Sequence, residues 1–96
     1  MLKTMPHGRY ECALPGDATG AAWLPVPEVS FKLSSASRYS SDQGIGTYIM
    51  KGKDFTFTRG PLRGTRYRRT GDNELQIVEA DGSLGRMICV RQSRGG

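Results

Sequence analysis

One histidine, His7, two cysteines, Cys12 and Cys89, and one tryptophan, Trp23, are all that this chain has of the residues most often recruited for chemistry. That scarcity excludes much. Two thiols and one imidazole so far from Cys89 cannot complete a four-ligand zinc site. A base–nucleophile pair of His7 and Cys12 would sit five residues apart in an N-terminus expected to fray, and Cys12 has a better use. Asp72 and Glu74 flank one turn, and Glu79 and Asp81 flank the next; turn carboxylates are normally solvated, which argues against a paired-acid mechanism. Gly44-Ile45-Gly46 lacks the lysine and the following helix of a phosphate loop. The expectation is a non-enzymatic protein without metal or cofactor. No apolar run approaches the ~18 residues of a membrane-spanning helix. Met1 to Pro6 lack the apolar core of a signal peptide, so an exported protein would have to be a mature form whose leader has been removed.

Helical periodicity is also missing. No stretch keeps apolar residues at helical spacing for three turns without meeting glycine or proline. What the chain does have is turn formers, 13 glycines and five prolines, which cut it into short elements. Eight strand-like segments follow one another: 8–14, 28–33, 37–40, 46–51, 53–59, 64–70, 74–80 and 84–91. The clearest alternation sets Phe55 and Phe57 against Asp54, Thr56 and Thr58. Tyr10, Cys12 and Leu14 share a face of the first segment; Val29, Phe31 and Leu33 share one in the second; Tyr48 and Met50 share one in the fourth. Tyr10, Phe31, Phe55, Phe57, Leu75, Ile77 and Met87 would fill the interior of so small a fold.

Lys51-Gly52-Lys53, Thr70-Gly71-Asp72-Asn73 and Ala80-Asp81-Gly82-Ser83 carry hairpin chemistry. Successive hairpins predict an all-β, antiparallel up-and-down barrel of about eight short strands in one domain, 1–96, with 1–7 and 92–96 frayed. Closure would set the first strand beside the last and so protect both edges. Cys12 and Cys89 lie on those two strands. A disulfide between them would stabilise the fold by about 4–5 kcal/mol in the chain-entropy model, and the alternative is two buried thiols.

Two features stand apart from the core pattern. Pro15 to Pro27 is a 13-residue connection with three prolines and the Trp23-Leu24 pair. Either that pair folds back to plug the barrel, the favoured arrangement, or it forms a binding loop. Arg59, Arg63, Arg66, Arg68 and Arg69 fall within eleven residues, with Tyr67 turned to the other face. They form either a solvated face with partners such as Glu74 and Glu79, or a surface for phosphate and carboxylate, which Lys51 and Lys53 would extend. The net charge of +5, from ten arginines and four lysines against nine acids, favours anionic partners. The terminal Arg94-Gly95-Gly96 reads as a tail.

Gly8-Arg9-Tyr10-Glu11-Cys12, Arg38-Tyr39, Gly46-Thr47-Tyr48, Phe55-Thr56-Phe57-Thr58-Arg59-Gly60-Pro61-Leu62 and the late Cys89 resemble small exported bacterial β-barrel proteins of unknown function, which share a Gly-x-Tyr-x-Cys opening and a Phe-x-x-Gly-Pro-Leu turn. More loosely, the meander is similar to calycin-type barrels, with Tyr10 where the lipocalin opening has tryptophan. The resemblance implies export and a small barrel, and it brings no catalytic or binding residues. The expectation is a monomeric periplasmic or secreted protein that binds a protein or other anionic macromolecule through Trp23 and Leu24 or through the arginine strand, as an inhibitor or an envelope accessory protein. A nucleic-acid-binding barrel is the rival reading, and a carrier of a small hydrophobic ligand is the third.

Overall fold

Large apolar side chains at every second position become the inner wall of a closed barrel. The computed structural model describes residues 5–16, 23–34 and 37–92. Its strands are β1 (Gly8–Pro15), β2 (Trp23–Pro25), β3 (Phe31–Ser34), β4 (Arg38–Ser41), β5 (Gly44–Lys51), β6 (Asp54–Arg59), β7 (Arg66–Gly71), β8 (Glu74–Val78) and β9 (Leu84–Arg91). All pairings are antiparallel, in the order β2-β1-β3-β4-β5-β6-β7-β8-β9, and β1 also pairs with β9. The result is the expected eight-stranded meander with first and last strands adjacent, plus the short additional strand β2. Register shifts at Thr47/Tyr48, Arg69/Gly71 and Gln76/Val78 supply the extra twist that a small closed sheet needs.

The prolines of the 15–27 segment make something other than one long loop. β2 and β3 are two halves of a single broken strand along one edge of β1: Ala13 faces Pro25, and Tyr10 faces Phe31. Residues 26–30 therefore stand opposite only Glu11 and Cys12. Pro27, with its fixed φ and missing N–H, opens a 3-10 turn, Pro27–Val29. Glu28 and Val29, expected in a strand, lie in that turn. The ladder is repaired across the gap: the Val26 N–H bonds the Cys12 carbonyl at 2.8 Å, and the Cys12 N–H bonds the Ser30 hydroxyl at 3.2 Å.

Those two bonds orient the Cys12 backbone away from β9. Cys12 and Cys89 therefore face each other as a non-hydrogen-bonded pair, the closer kind of antiparallel pair, with Cα atoms 3.9 Å apart. The side chains form a disulfide, and both residues are buried. No free cysteine occurs among the described residues.

Every tyrosine and phenylalanine of the chain lies in the core. Phe31 on β3 meets Phe57 on β6 at 5.0 Å and Tyr67 on β7 at 6.2 Å between centroids, so rings from opposite walls touch across the interior. Tyr10, Phe55, Leu75 and Met87 complete the filling that the sequence leads one to expect, and Ile77 packs at its margin. Tyr39, Tyr48, Leu33 and Met5 join them.

The short ends differ from expectation. Met5, assigned to a frayed N-terminus, is 1% exposed, and the Tyr10 hydroxyl donates to the Pro6 carbonyl at 2.7 Å. Gln92 N–H bonds the Arg9 carbonyl at 2.8 Å. A hydrophobic side chain packed on a ready-made cavity end holds this segment, although it carries no strand periodicity. Residues 1–4 and 93–96 lie outside the described residues.

Because neighbours alternate in direction, the connections fall into two sets. A terminal end carries residues 5–7, the end of β3, the start of β4, the 52–53 and 72–73 turns, and Gln92. A distal end carries the end of β1, the start of β2, the 42–43 turn and the loops 60–65 and 79–83. At the distal end Tyr39 pins the Gly60-Pro61-Leu62 corner: its hydroxyl donates to the Arg59 carbonyl at 2.7 Å and accepts the Leu62 N–H at 3.0 Å. Gly46 and Gly60, the latter at φ +93°, let the chains close on that hydroxyl.

A Cβ on Gly46 would collide with the Arg59 carbonyl and the Tyr39 ring. Gly46→Ala should therefore cost about 1–3 kcal/mol in urea unfolding. Gly71→Ala, whose Cβ would meet only the Glu74 Cβ at 3.4 Å, should stay within ~0.5 kcal/mol. Equal losses at both sites would show that the corner is not tightly built. In a thiol assay on denatured, unreduced protein, Cys12 and Cys89 should be unreactive. Replacing both by alanine should remove about 4–5 kcal/mol of stability in the chain-entropy model.

Candidate functional site

Trp23 is the one aromatic residue outside the core. β2 sets it against Pro15 and sets Leu24 against Leu14. Trp23 is 50% exposed and Leu24 49%, so the pair does not plug the barrel. The physical reason is the register: β2 continues the outer wall beyond the β1–β3 pairing, and the interior is already filled by aromatic rings. Residues 17–22 of the connection lie outside the described residues.

The position of Trp23 and Leu24 is not isolated. Exposed large hydrophobic residues among those described are Leu14, Trp23, Leu24, Ile45, Leu84 and Val90. All but Val90 belong to the distal end: Leu14 is the last residue but one of β1, Ile45 the second of β5, and Leu84 opens β9. Leu14, Pro15, Leu24 and Arg86 line one shallow recess there. On the other side of the mouth, Gly44 abuts Pro61 of the 60–65 loop.

The arginine run is divided rather than gathered. Arg59 and Arg63 flank Gly60-Pro61 on the distal end, are exposed, and border an open recess with Thr58. Arg66, also toward this end, donates to the Glu79 carbonyl at 3.2 Å. Arg68 lies nearer the other end and pairs with Asp54 at 3.7 Å, both well exposed; its partner sits on β6 and is neither Glu74 nor Glu79. Arg69 is committed to structure, its guanidinium donating to the Gly71 and Asp72 carbonyls at 3.1 and 2.9 Å. Lys53, Arg68 and Arg69 line a cleft between the 52–53 and 72–73 turns. Tyr67 points inward, as its alternation requires.

The ionisable groups displaced from their ordinary range all have structural causes. Burial pushes Tyr10 up to about 12 against the opposing charge of Arg91. Burial raises Tyr67 and Tyr48 as well, the Met5 backbone opposing the second. The Tyr48 hydroxyl is buried without a partner in hydrogen-bonding geometry. Asp81 is lowered by bonds from the Ser83 hydroxyl and N–H, which belong to the 79–83 turn. No group of three or more metal-ligating side chains occurs among the described residues.

Trp23, Leu24, Arg59 and Arg63 therefore share one end, with Arg66 near it, whereas Arg68 and Arg69 do not. Leu14, Ile45, Leu84 and Arg86 belong with them and escape a reading of motifs. The signal that finds them is the meander itself, since alternating strand direction assigns each strand end to one rim. Comparison with protein-family models, curated proteins and solved structures finds no match.

The two kinds of arginine should separate on mutation. Arg69→Ala removes two charge-assisted bonds from the 72–73 turn and should cost about 1–2 kcal/mol. Arg68→Ala loses an exposed ion pair and should cost less than ~0.5 kcal/mol. Thermal or urea unfolding measures both, and the reverse order would contradict the assignment of Arg69 to structure.

Proposed function

We propose that the protein is a non-enzymatic binding module that contacts its partner through the distal end of the barrel. The observation that carries this reading is the placement of aromatic residues. All seven tyrosines and phenylalanines are buried, and the single tryptophan stands half-exposed with Leu24 on a rim that also gathers Leu14, Ile45 and Leu84. An exposed apolar rim on a fold with this well-filled a core favours a contact surface. Arg59, Arg63, Arg66 and Arg86 set positive charge at that same rim and suit an anionic partner.

Nucleic acid is the weaker reading. A stacking platform needs several outward aromatics, and the tyrosines and phenylalanines face inward. A carrier of a small hydrophobic ligand is weaker still, because aromatic rings from facing walls meet where the ligand would lie. The buried disulfide and the resemblance to small exported bacterial barrels support action in an oxidising compartment, the periplasm or outside the cell. Inhibition of an exported enzyme and an accessory role at the envelope both fit a rigid module of this kind.

A photo-crosslinking residue placed at position 23, and in a second variant at position 72, tests the rim directly in cells of origin. Adducts from position 23 and none from position 72, at the opposite end, are expected. Adducts from position 72 alone, or equally from both, would refute the distal-end reading.

A further inference from the structure

Resting on the distal end as the contact surface, we infer that its partner is an anionic lipid surface, into which the rim dips by Trp23, Leu24, Leu14, Leu84 and Ile45. Three features of the rim point to a lipid–water interface.

The first is arrangement. The exposed apolar side chains do not form one patch. Leu14, Trp23, Leu24 and Leu84 sit where β1, β2 and β9 end, whereas Ile45, 75% exposed, sits three strands away from β1, on β5. All lie near the distal ends of their strands and are spread around the mouth rather than gathered in one area. A planar, fluid medium contacts a ring of side chains at one depth. A protein partner concentrates binding on a central, contiguous cluster instead.

The second is residue type. Tryptophan is the side chain best suited to the headgroup layer, with a wide apolar body and one polar N–H, and leucine and isoleucine reach the acyl boundary. Aliphatic side chains contribute little to a nucleic-acid contact.

The third is charge. Arg59, Arg63, Arg66 and Arg86 lie at or just behind the apolar level, where long side chains can reach lipid phosphates. Acidic groups are also present at this end. Asp42 lies in the 42–43 turn, and the exposed Glu79 and Asp81 lie in the 79–83 loop, fewer carboxylates than the four rim arginines. The described ion pairs, Arg9–Glu11 and Arg68–Asp54, involve none of the four rim arginines. The chain as a whole carries +5 and is drawn to an acidic surface before the rim engages.

Trp23, the sole tryptophan, makes the test direct. The full chain, disulfide intact, is mixed with vesicles of phosphatidylcholine alone or of equal parts phosphatidylcholine and phosphatidylglycerol. Tryptophan emission and co-sedimentation are followed. A blue shift with sedimentation on the mixed vesicles, weakened by added salt and slight on phosphatidylcholine alone, is the expected result. Arg59→Glu/Arg63→Glu, which keeps the fluorophore, should weaken binding about tenfold or more, and Trp23→Ser should do so by sedimentation. Unchanged urea midpoints establish that both variants fold.

No shift and no sedimentation on either vesicle overturns the lipid inference. In that case adducts from position 23 still uphold the distal end, with a protein as occupant. A concentration-dependent blue shift without vesicles makes the occupant a second copy and likewise overturns it. Vesicle binding undiminished in both variants places the contact elsewhere and overturns this inference and the distal-end reading together.

Discussion

Strand β1 is the strand on which the barrel closes, and it does so by serving three partners. Its one edge takes β9, and its other edge takes β3 and then β2. Cys12 lies where these pairings meet. Its N–H and carbonyl are drawn toward Ser30 and Val26, which leaves its side chain opposed to Cys89 at the closest kind of cross-strand contact. The covalent link thus falls at the seam, where loss of pairing would open the fold to two bare edges. A chain of this size buries a modest core, and a crosslink spanning 77 residues of separation restrains most of its unfolded ensemble.

The aromatic core is the second half of the same construction. Small barrels have room for side chains or for a ligand, and here rings fill the room. Tyr39 shows how a polar atom is carried into such a core without loss, since its hydroxyl serves both the Arg59 carbonyl and the Leu62 N–H. The close approach at Gly46 and Gly60 is what permits this. The Gly60-Pro61-Leu62 corner is therefore a structural device, and it is also what projects Arg59 and Arg63 from the distal end.

Much of the wall was legible in the sequence because a strand with one buried face announces itself by alternation. Phe55 and Phe57 against Thr56 and Thr58, or Tyr48 and Met50 against Thr47 and Ile49, admit one register only. The broken strand was not legible. Pro25 and Pro27 read as loop, yet an edge partner of β1 tolerates proline where no N–H is required, and Glu28 and Val29 alternate like a strand although Pro27 turns them into a 3-10 bend. Met5 was invisible because its burial depends on a cavity end that only the assembled barrel creates. For the candidate surface, Trp23 and Leu24 were legible as unusual residues in an unusual segment. Their setting was not, because the arginines of the 59–69 run are close in the chain and divided in space. Residues near one another in sequence along a strand lie at different heights, whereas Leu14, Ile45 and Leu84, far apart in the chain, share one rim.

An exposed strand beside an exposed tryptophan is ordinarily an invitation to stack chain upon chain. β2 lies at the end of the sheet order, with β1 as its one partner among the described residues. Its bonds to β1 use Leu24 and Val26, so an incoming strand would meet Trp23 and Pro25. Proline offers no N–H, and immediately beyond it the Pro27–Val29 bend carries the backbone out of line. Such an edge presents too few donors to template a ladder. The same prolines that interrupt the barrel wall thereby also shorten the ladder that a second chain could build beside the exposed tryptophan.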